Sequence, residues 1–209
     1  DWRLVGLAAF MCVAGSILTA RLLSRSRGAH AWRRGLLLGL AGVMGGATIW
    51  TTHFVAMVAY DPGVPTGYEP LLTVVSLFVA MAGVGASFAV GFGLRRHAPE
   101  AGGALFGLSV AAMHYTGMNA LTAPGVILWD PALVAVSVLL GAGLGALALN
   151  RIARPVTRWC WLGGAVGLTL AICAMHFTGM GAATLALDPT IPEPVQLMSD
   201  ATLGGMVAA

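Results

Sequence analysis

Apolar residues run through this chain in long stretches, and polar residues gather in short segments between them. Neither the strict alternation of a half-exposed strand nor the narrow apolar stripe of a soluble helix dominates. A stretch of about 20 apolar residues matches the hydrocarbon thickness of a bilayer. Six such spans read out, at about residues 3–23, 35–60, 70–94, 100–122, 130–150 and 159–187. Stop signals close three of them: Asp61-Pro62-Gly63 after the second, Pro124-Gly125 after the fourth and Asp188-Pro189 after the sixth. Residues 199–209 open a further apolar stretch; about 11 residues of helix reach about 16 Å, too short to cross, so it reads as the start of a seventh helix. The expected fold is therefore all-α: a polytopic membrane bundle of six full helices plus part of a seventh, forming one domain over residues 1–209.

Polar positions add direction. Every basic residue is Arg, and ten of the eleven fall between spans. Arg21, Arg25, Arg27, Arg33 and Arg34 follow the first span, Arg95 and Arg96 the third, and Arg151, Arg154 and Arg158 the fifth. The other loops hold Asp61, Glu69, Asp130, Asp188 and Glu193, leaving Glu100 as the one acid on the basic side. This alternation places the Arg-rich loops in the cytoplasm and the N-terminus outside. It also explains the net charge of +3 without a nucleic-acid partner, because the Arg mark topology and build no recognition face. Residues 4–23 are long enough to span, and basic residues follow them, so no cleavable signal peptide is expected. Charged residues make up only 9% of the chain, against about a quarter in soluble domains, which makes the bilayer the first partner. Trp50 and Trp129 suit one aromatic belt, and Trp32, Trp159 and Trp161 the other. Gly35/Gly39, Gly103/Gly107, Gly141/Gly145 and Gly163/Gly167 are spaced for close helix contact. Cys12, Cys160 and Cys173 have no C-x-x-C spacing and read as packing residues.

The second, fourth and sixth spans carry related hexapeptides: Thr52-His53-Phe54-Val55-Ala56-Met57, Met113-His114-Tyr115-Thr116-Gly117-Met118 and Met175-His176-Phe177-Thr178-Gly179-Met180. Their histidines are 61 and 62 residues apart, one helix pair each. Three helix-pair repeats follow, at about 1–62, 63–125 and 126–189, with 190–209 as an outer loop and the truncated seventh helix. Eight, ten and twelve residues separate the histidines from Asp61, Pro124 and Asp188. At about 1.5 Å per residue that is some 12–18 Å below the outer helix ends. Ionisable residues at such depth face the bundle interior.

Residues i and i+4 share a helix face, so each histidine has a methionine beside it: His53 with Met57, His114 with Met118, and His176 with Met180. Imidazole suits Cu, Zn, Fe and Ni, and thioether favours Cu(I). No carboxylate lies in the interior of these spans. The set therefore points to copper, as one or more ions, with zinc or haem as alternatives. Met113 and Met175 are rotated about 100° from the i+4 methionines and read as packing residues. Thr52, Tyr115, Thr116, Asn119 and Thr178 are candidates to orient the imidazoles. Gly117 and Gly179 would let neighbouring helices approach. His30 and His97 lie in Arg-rich loops and read as solvated. A transporter or ion conduit remains open on these residues alone.

Met113-His114-Tyr115-Thr116 resembles the motif for which the MHYT domain family is named, and Met175-His176-Phe177-Thr178 is a close variant. The first unit departs at Thr52 and Val55. The resemblance implies a bacterial inner-membrane sensor module of seven helices and no enzymatic activity of its own. It implies copper held by His53, Met57, His114, Met118, His176 and Met180, with Met113 and Met175 as further candidates. It further implies O2, CO or NO as the sensed ligand, and a cytoplasmic output domain that synthesises or hydrolyses cyclic-di-GMP. A homodimer is also open. The chain itself carries no nucleotide-binding motif.

Overall fold

A computed structural model of the chain describes residues 1–60, 62–188, 190 and 205. Six helices run in chain order: α1 (Trp2–Ser26), α2 (Ala31–Ala59), α3 (Pro70–Gly91), α4 (Ala98–Ala120), α5 (Pro131–Ala153) and α6 (Cys160–Gly181). Local chemistry sets their starts. Asp1, Glu69 and Asp130 are the N-caps of α1, α3 and α5, each accepting backbone N–H groups of the first turn, and Pro70 and Pro131 follow two of them. Two of the acids that mark the loops in the sequence, Glu69 and Asp130, are thus helix caps.

Five helices, α1, α2, α3, α5 and α6, are long and apolar enough to cross a membrane by length and composition. The fourth expected span forms a helix of 23 residues but is not among them. The reason is its neighbours. It packs on α3 and α5 and also touches α2 and α6. Facing protein instead of lipid, it carries Gly102, Gly103, Gly107, Ser109 and His114 where a lipid-facing helix would carry large apolar side chains. Every consecutive helix pair packs together, and α1 closes on α6. The most apolar stretches of α2 and α6 are 44% buried, against 28–33% for α1, α3 and α5, so the histidine-bearing helices form the inner set.

Glycines bring inner and outer helices together. A Cβ on Gly107 would stand 2.1 Å from Gly141 O, and one on Gly103 2.2 Å from Gly145 O. Two of the four spaced pairs therefore form the α4–α5 contact. Gly35 and Gly39 face open space, and the Gly163 Cβ would meet only Arg151 Cγ at 3.9 Å. Gly42 on Gly85 and Gly91 on Gly102 make further close approaches that the spacing did not reveal.

The bundle is all-helical in its core, and the loops add a detail that the sequence did not show. Four short strands link the loops at the capped end: β1 (Gly67–Tyr68), β2 (Leu121–Thr122), β3 (Gly125–Trp129) and β4 (Ala183–Leu187). β1 pairs antiparallel with β2, and β3 with β4 from Gly125↔Leu187 to Trp129↔Ala183. The fourth and sixth helices consequently end at Ala120 and Gly181, before the Pro and Asp stops, because the following residues pair with neighbouring loops. The links repeat: Glu69 N–H donates to Ala120 O, and Asp130 N–H to Ala182 O, each at 2.8 Å. At the opposite end Glu100 accepts from Arg154 at 2.6 Å, and Arg21 lies 4.0 Å over the Trp161 ring. Trp50 belongs to the core and not to an aromatic belt: it is buried and donates Nε1–H to Thr73 O at 3.0 Å. Asp61 and the expected seventh helix at 199–209 lie outside the described residues, Gly205 apart.

Candidate metal centre

His53, His114 and His176 stand six, six and five residues before the last residues of α2, α4 and α6. That is about 8–9 Å from the helix ends, shallower and more uniform than the loop residues suggested. The three helices bring the three rings together. Their Nδ1 atoms form a triangle with every edge 3.3 Å. The rings stand nearly perpendicular to one another, at 83–88°. All three residues are buried.

This triangle is a poor hydrogen-bond network. An imidazole nitrogen either carries a proton or offers a lone pair. In a closed ring of three, any placement of protons leaves two lone pairs or two N–H groups facing each other. The far nitrogens offer no relief, since His53 Nε2 and His114 Nε2 are buried and have no partner among the described residues. Three lone pairs converging on one point suit a cation. The centre of an equilateral triangle of 3.3 Å edge lies about 1.9 Å from each corner, near the ~2.0–2.1 Å of metal–imidazole bonds. The three histidines are thus placed to hold a metal ion. A porphyrin fits badly, because its axial donors sit on opposite faces of a macrocycle, and donors mutually 3.3 Å apart leave no slot for one.

The rings are held by close walls. Gly117 faces His53 and Gly179 faces His114; a Cβ on either would stand 2.6 Å from the imidazole Nε2. Ala56 occupies the matching place in the first unit and lines a cavity together with His176. An aromatic residue follows each histidine and meets it at a steep angle: Phe54 at 4.9 Å, Tyr115 at 5.0 Å and Phe177 at 5.3 Å between ring centres. Tyr115 is fixed in turn by a 2.7 Å hydrogen bond between its hydroxyl and Ser137 Oγ on α5. The aromatic at each position after histidine was visible in the sequence as a repeated Phe or Tyr. Ser137 had no such signal.

The other candidates sort by position. Met57 and Met118 are buried, and Met180 is half-buried beside the cavity that reaches His176. Met175 packs toward α5, its Cγ 3.2 Å from a Cβ built on Gly141, and Met113 is likewise buried in the core. Thr116 bonds back to Ala112 O at 2.8 Å, which leaves its hydroxyl turned to its own helix. Thr178 is half-buried. Asn119 is exposed and does not orient an imidazole, because its position on α4 turns it away from the inner face. Thr52 is buried, and its Oγ1 has no partner among the described residues. His30 and His97 are exposed at the starts of α2 and α4, in keeping with solvated loops.

The sequence profile of MHYT, described as a bacterial signalling protein N-terminal repeat, matches twice, over residues 46–104 and 107–165. The chain belongs to the MHYT family. The first matched MHYT segment contains His53 and Met57, and the second His114 and Met118; the His176 unit lies beyond both. A Caulobacter vibrioides protein named an uncharacterized signaling protein is 44% identical over 99% of this chain and 25% of its own length. Two Pseudomonas aeruginosa proteins also match. The cyclic di-GMP phosphodiesterase NbdA is 35% identical over 74% of this chain and 21% of its own length. The bifunctional diguanylate cyclase/cyclic di-GMP phosphodiesterase MucR is 36% identical over 79% and 24%. This chain spans a fifth to a quarter of the length of these curated relatives. No solved structure matches it.

Proposed function

We propose that this MHYT chain is a membrane-embedded copper-binding sensory domain. It responds to O2, CO or NO, or to redox state, and passes the response to a cytoplasmic output domain. One observation carries the reading: three imidazole nitrogens from three inner helices converge at 3.3 Å with no proton arrangement that satisfies them. Charge narrows the metal. The donors are neutral and the site is buried, so a monovalent ion costs less here than a divalent one. Zinc prefers four donors, whereas three imidazoles with a thioether one turn away on each helix favour Cu(I). Met57, Met118 and Met180, each one helical turn from a histidine, are the thioethers this reading assigns to complete the set.

Bound copper would supply an open coordination position for a diatomic ligand. The chain's own residues do the rest. Phe54, Tyr115 and Phe177 hold the rings, Gly117 and Gly179 set how closely the helices meet, and apolar packing excludes bulk water. Each histidine belongs to a different inner helix, so a change of donor geometry moves α2, α4 and α6 against one another. In this reading all six helices cross the bilayer within a single domain, the Arg-rich ends face the cytoplasm, and the output lies there. In this reading the activities named for the relatives belong to parts of those proteins outside the matched segment, and this domain senses without catalysing.

Elemental analysis of the purified chain tests the proposal. Copper is expected in the wild type and absent from His114→Ala plus His176→Ala. Equal metal content in the two would refute it. Exposure of the copper-loaded chain to CO should shift its absorption spectrum only where the three histidines are present.

A further inference from the structure

A second group of soft donors stands beside the histidine centre. Cys12 on α1 and Cys173 on α6 bring their Sγ atoms to 4.0 Å, and both are free thiols. Cys12 is fully buried, whereas Cys173 lines a 440 Å³ cavity between α1, α2 and α6. Cys173, His176 and Met180 fall at i, i+3 and i+7 on α6, and all three line that cavity. Thr52 lines it too, and it is 7% exposed. The repeat does not require these thiols for packing. Three residues before His114 the second unit has Ala111, and the first unit has Trp50 before His53.

We propose that Cys12 and Cys173 form a second metal site, a two-sulfur site for a soft monovalent cation such as Cu(I) or Ag(I). Two metal–sulfur bonds of about 2.3 Å span up to about 4.6 Å, so a bent bridge fits sulfurs already 4.0 Å apart. A disulfide needs about 2.05 Å, so the two Sγ atoms would have to close by about 2 Å to form one. Charge selects the ion. Among the described residues, no Asp, Glu, Lys or Arg lines the cavity. On binding, one thiol releases its proton to solvent and the thiolate neutralises a monovalent cation, while the second sulfur donates as a thiol. A divalent ion would leave a net charge in the apolar interior or require both protons to leave. The site lies one turn of α6 from His176, so it holds a soft ion next to the histidine centre. It stands independently of what the histidines hold.

Ag(I) titration of the detergent-solubilised chain in a Cys160→Ser background tests the site, read by the thiolate-to-metal ultraviolet band. The band is expected to saturate at one equivalent, to vanish in Cys12→Ala plus Cys173→Ala, and to persist in His114→Ala plus His176→Ala. Alanine occupies the place of Cys173 in the second unit, and helical circular dichroism checks that the variant folds. The Cys12→Ser plus Cys173→Ser pair, equally expected to lose the band, serves if it does not. A band unchanged by the cysteine substitutions, or lost equally in the histidine variant, would overturn the proposal. So would a mass deficit of two hydrogens in the chain purified without oxidant, which reports a disulfide.

Discussion

A methyl group at Gly117 or Gly179 has nowhere to go but the imidazole of the preceding unit, 2.6 Å from its Nε2. The backbone there is helix, so the substitution costs nothing locally, and alanine is the better helix former. The histidine must therefore give way, and its Nδ1 leaves the triangle. Gly117→Ala and Gly179→Ala should each weaken metal affinity about 10–100-fold, the usual effect of disturbing groups that orient a ligand. Competition with a chelator of known affinity, on variants with unchanged helical content, is the measurement. Retained affinity in both would mean the rings are free to shift. Tyr115 acts more gently. Tyr115→Phe deletes the bond to Ser137 and should cost about 1 kcal/mol of stability, seen as a lower thermal midpoint in detergent, while metal content stays unchanged. At this scale the sequence was informative about donors and poor about supports. A buried histidine repeated three times at one depth leaves few structural explanations, so the triangle was legible before any coordinates. Ser137 and the glycine-to-ring contacts depend on how neighbouring helices are rotated, which no single helix encodes.

Helix existence was equally legible, because a bilayer demands long apolar runs and this chain supplies them. Helix ends were not. The fourth and sixth expected spans ran into residues that form β2 and β4, since apolar composition does not separate the last helical turn from a strand paired to a neighbouring loop. Glycine spacing was half legible for a related reason. Gly103, Gly107, Gly141 and Gly145 make one backbone-to-backbone seam between α4 and α5, yet the same spacing at Gly35 and Gly39 faces open space. Small residues permit close approach without compelling it. Gly107→Ala, with its Cβ 2.1 Å from Gly141 O, should force the helices apart at a cost of about 1–3 kcal/mol. Gly39→Ala should be neutral or stabilising by up to about 1 kcal/mol. Thermal unfolding in one detergent compares them directly, and equal effects would remove the seam as a determinant of the bundle.

A metal held as proposed would link metal content to bundle stability across the whole molecule. The inner helices meet chiefly through α4, which touches both α2 and α6, while α1 closes on α6 from outside. An ion held by His53, His114 and His176 fastens one atom of each inner helix to a common point. It binds the assembled bundle and not the separated helices, so it stabilises assembly by about 2.7 kcal/mol at a hundredfold excess over its dissociation constant. Each helix satisfies its own backbone in lipid, so removing the ion loosens the arrangement without unravelling the helices. Treatment with a Cu(I) chelator should therefore lower the thermal midpoint of the wild type by several degrees and leave far-ultraviolet circular dichroism unchanged. The His114→Ala plus His176→Ala protein should start near the lower midpoint and ignore the chelator. A wild-type midpoint that also ignores the chelator would mean the helices are already locked by packing. A centre in such a rigid bundle could hold a metal yet could not move α2, α4 and α6, and the sensory reading would fail even with copper bound.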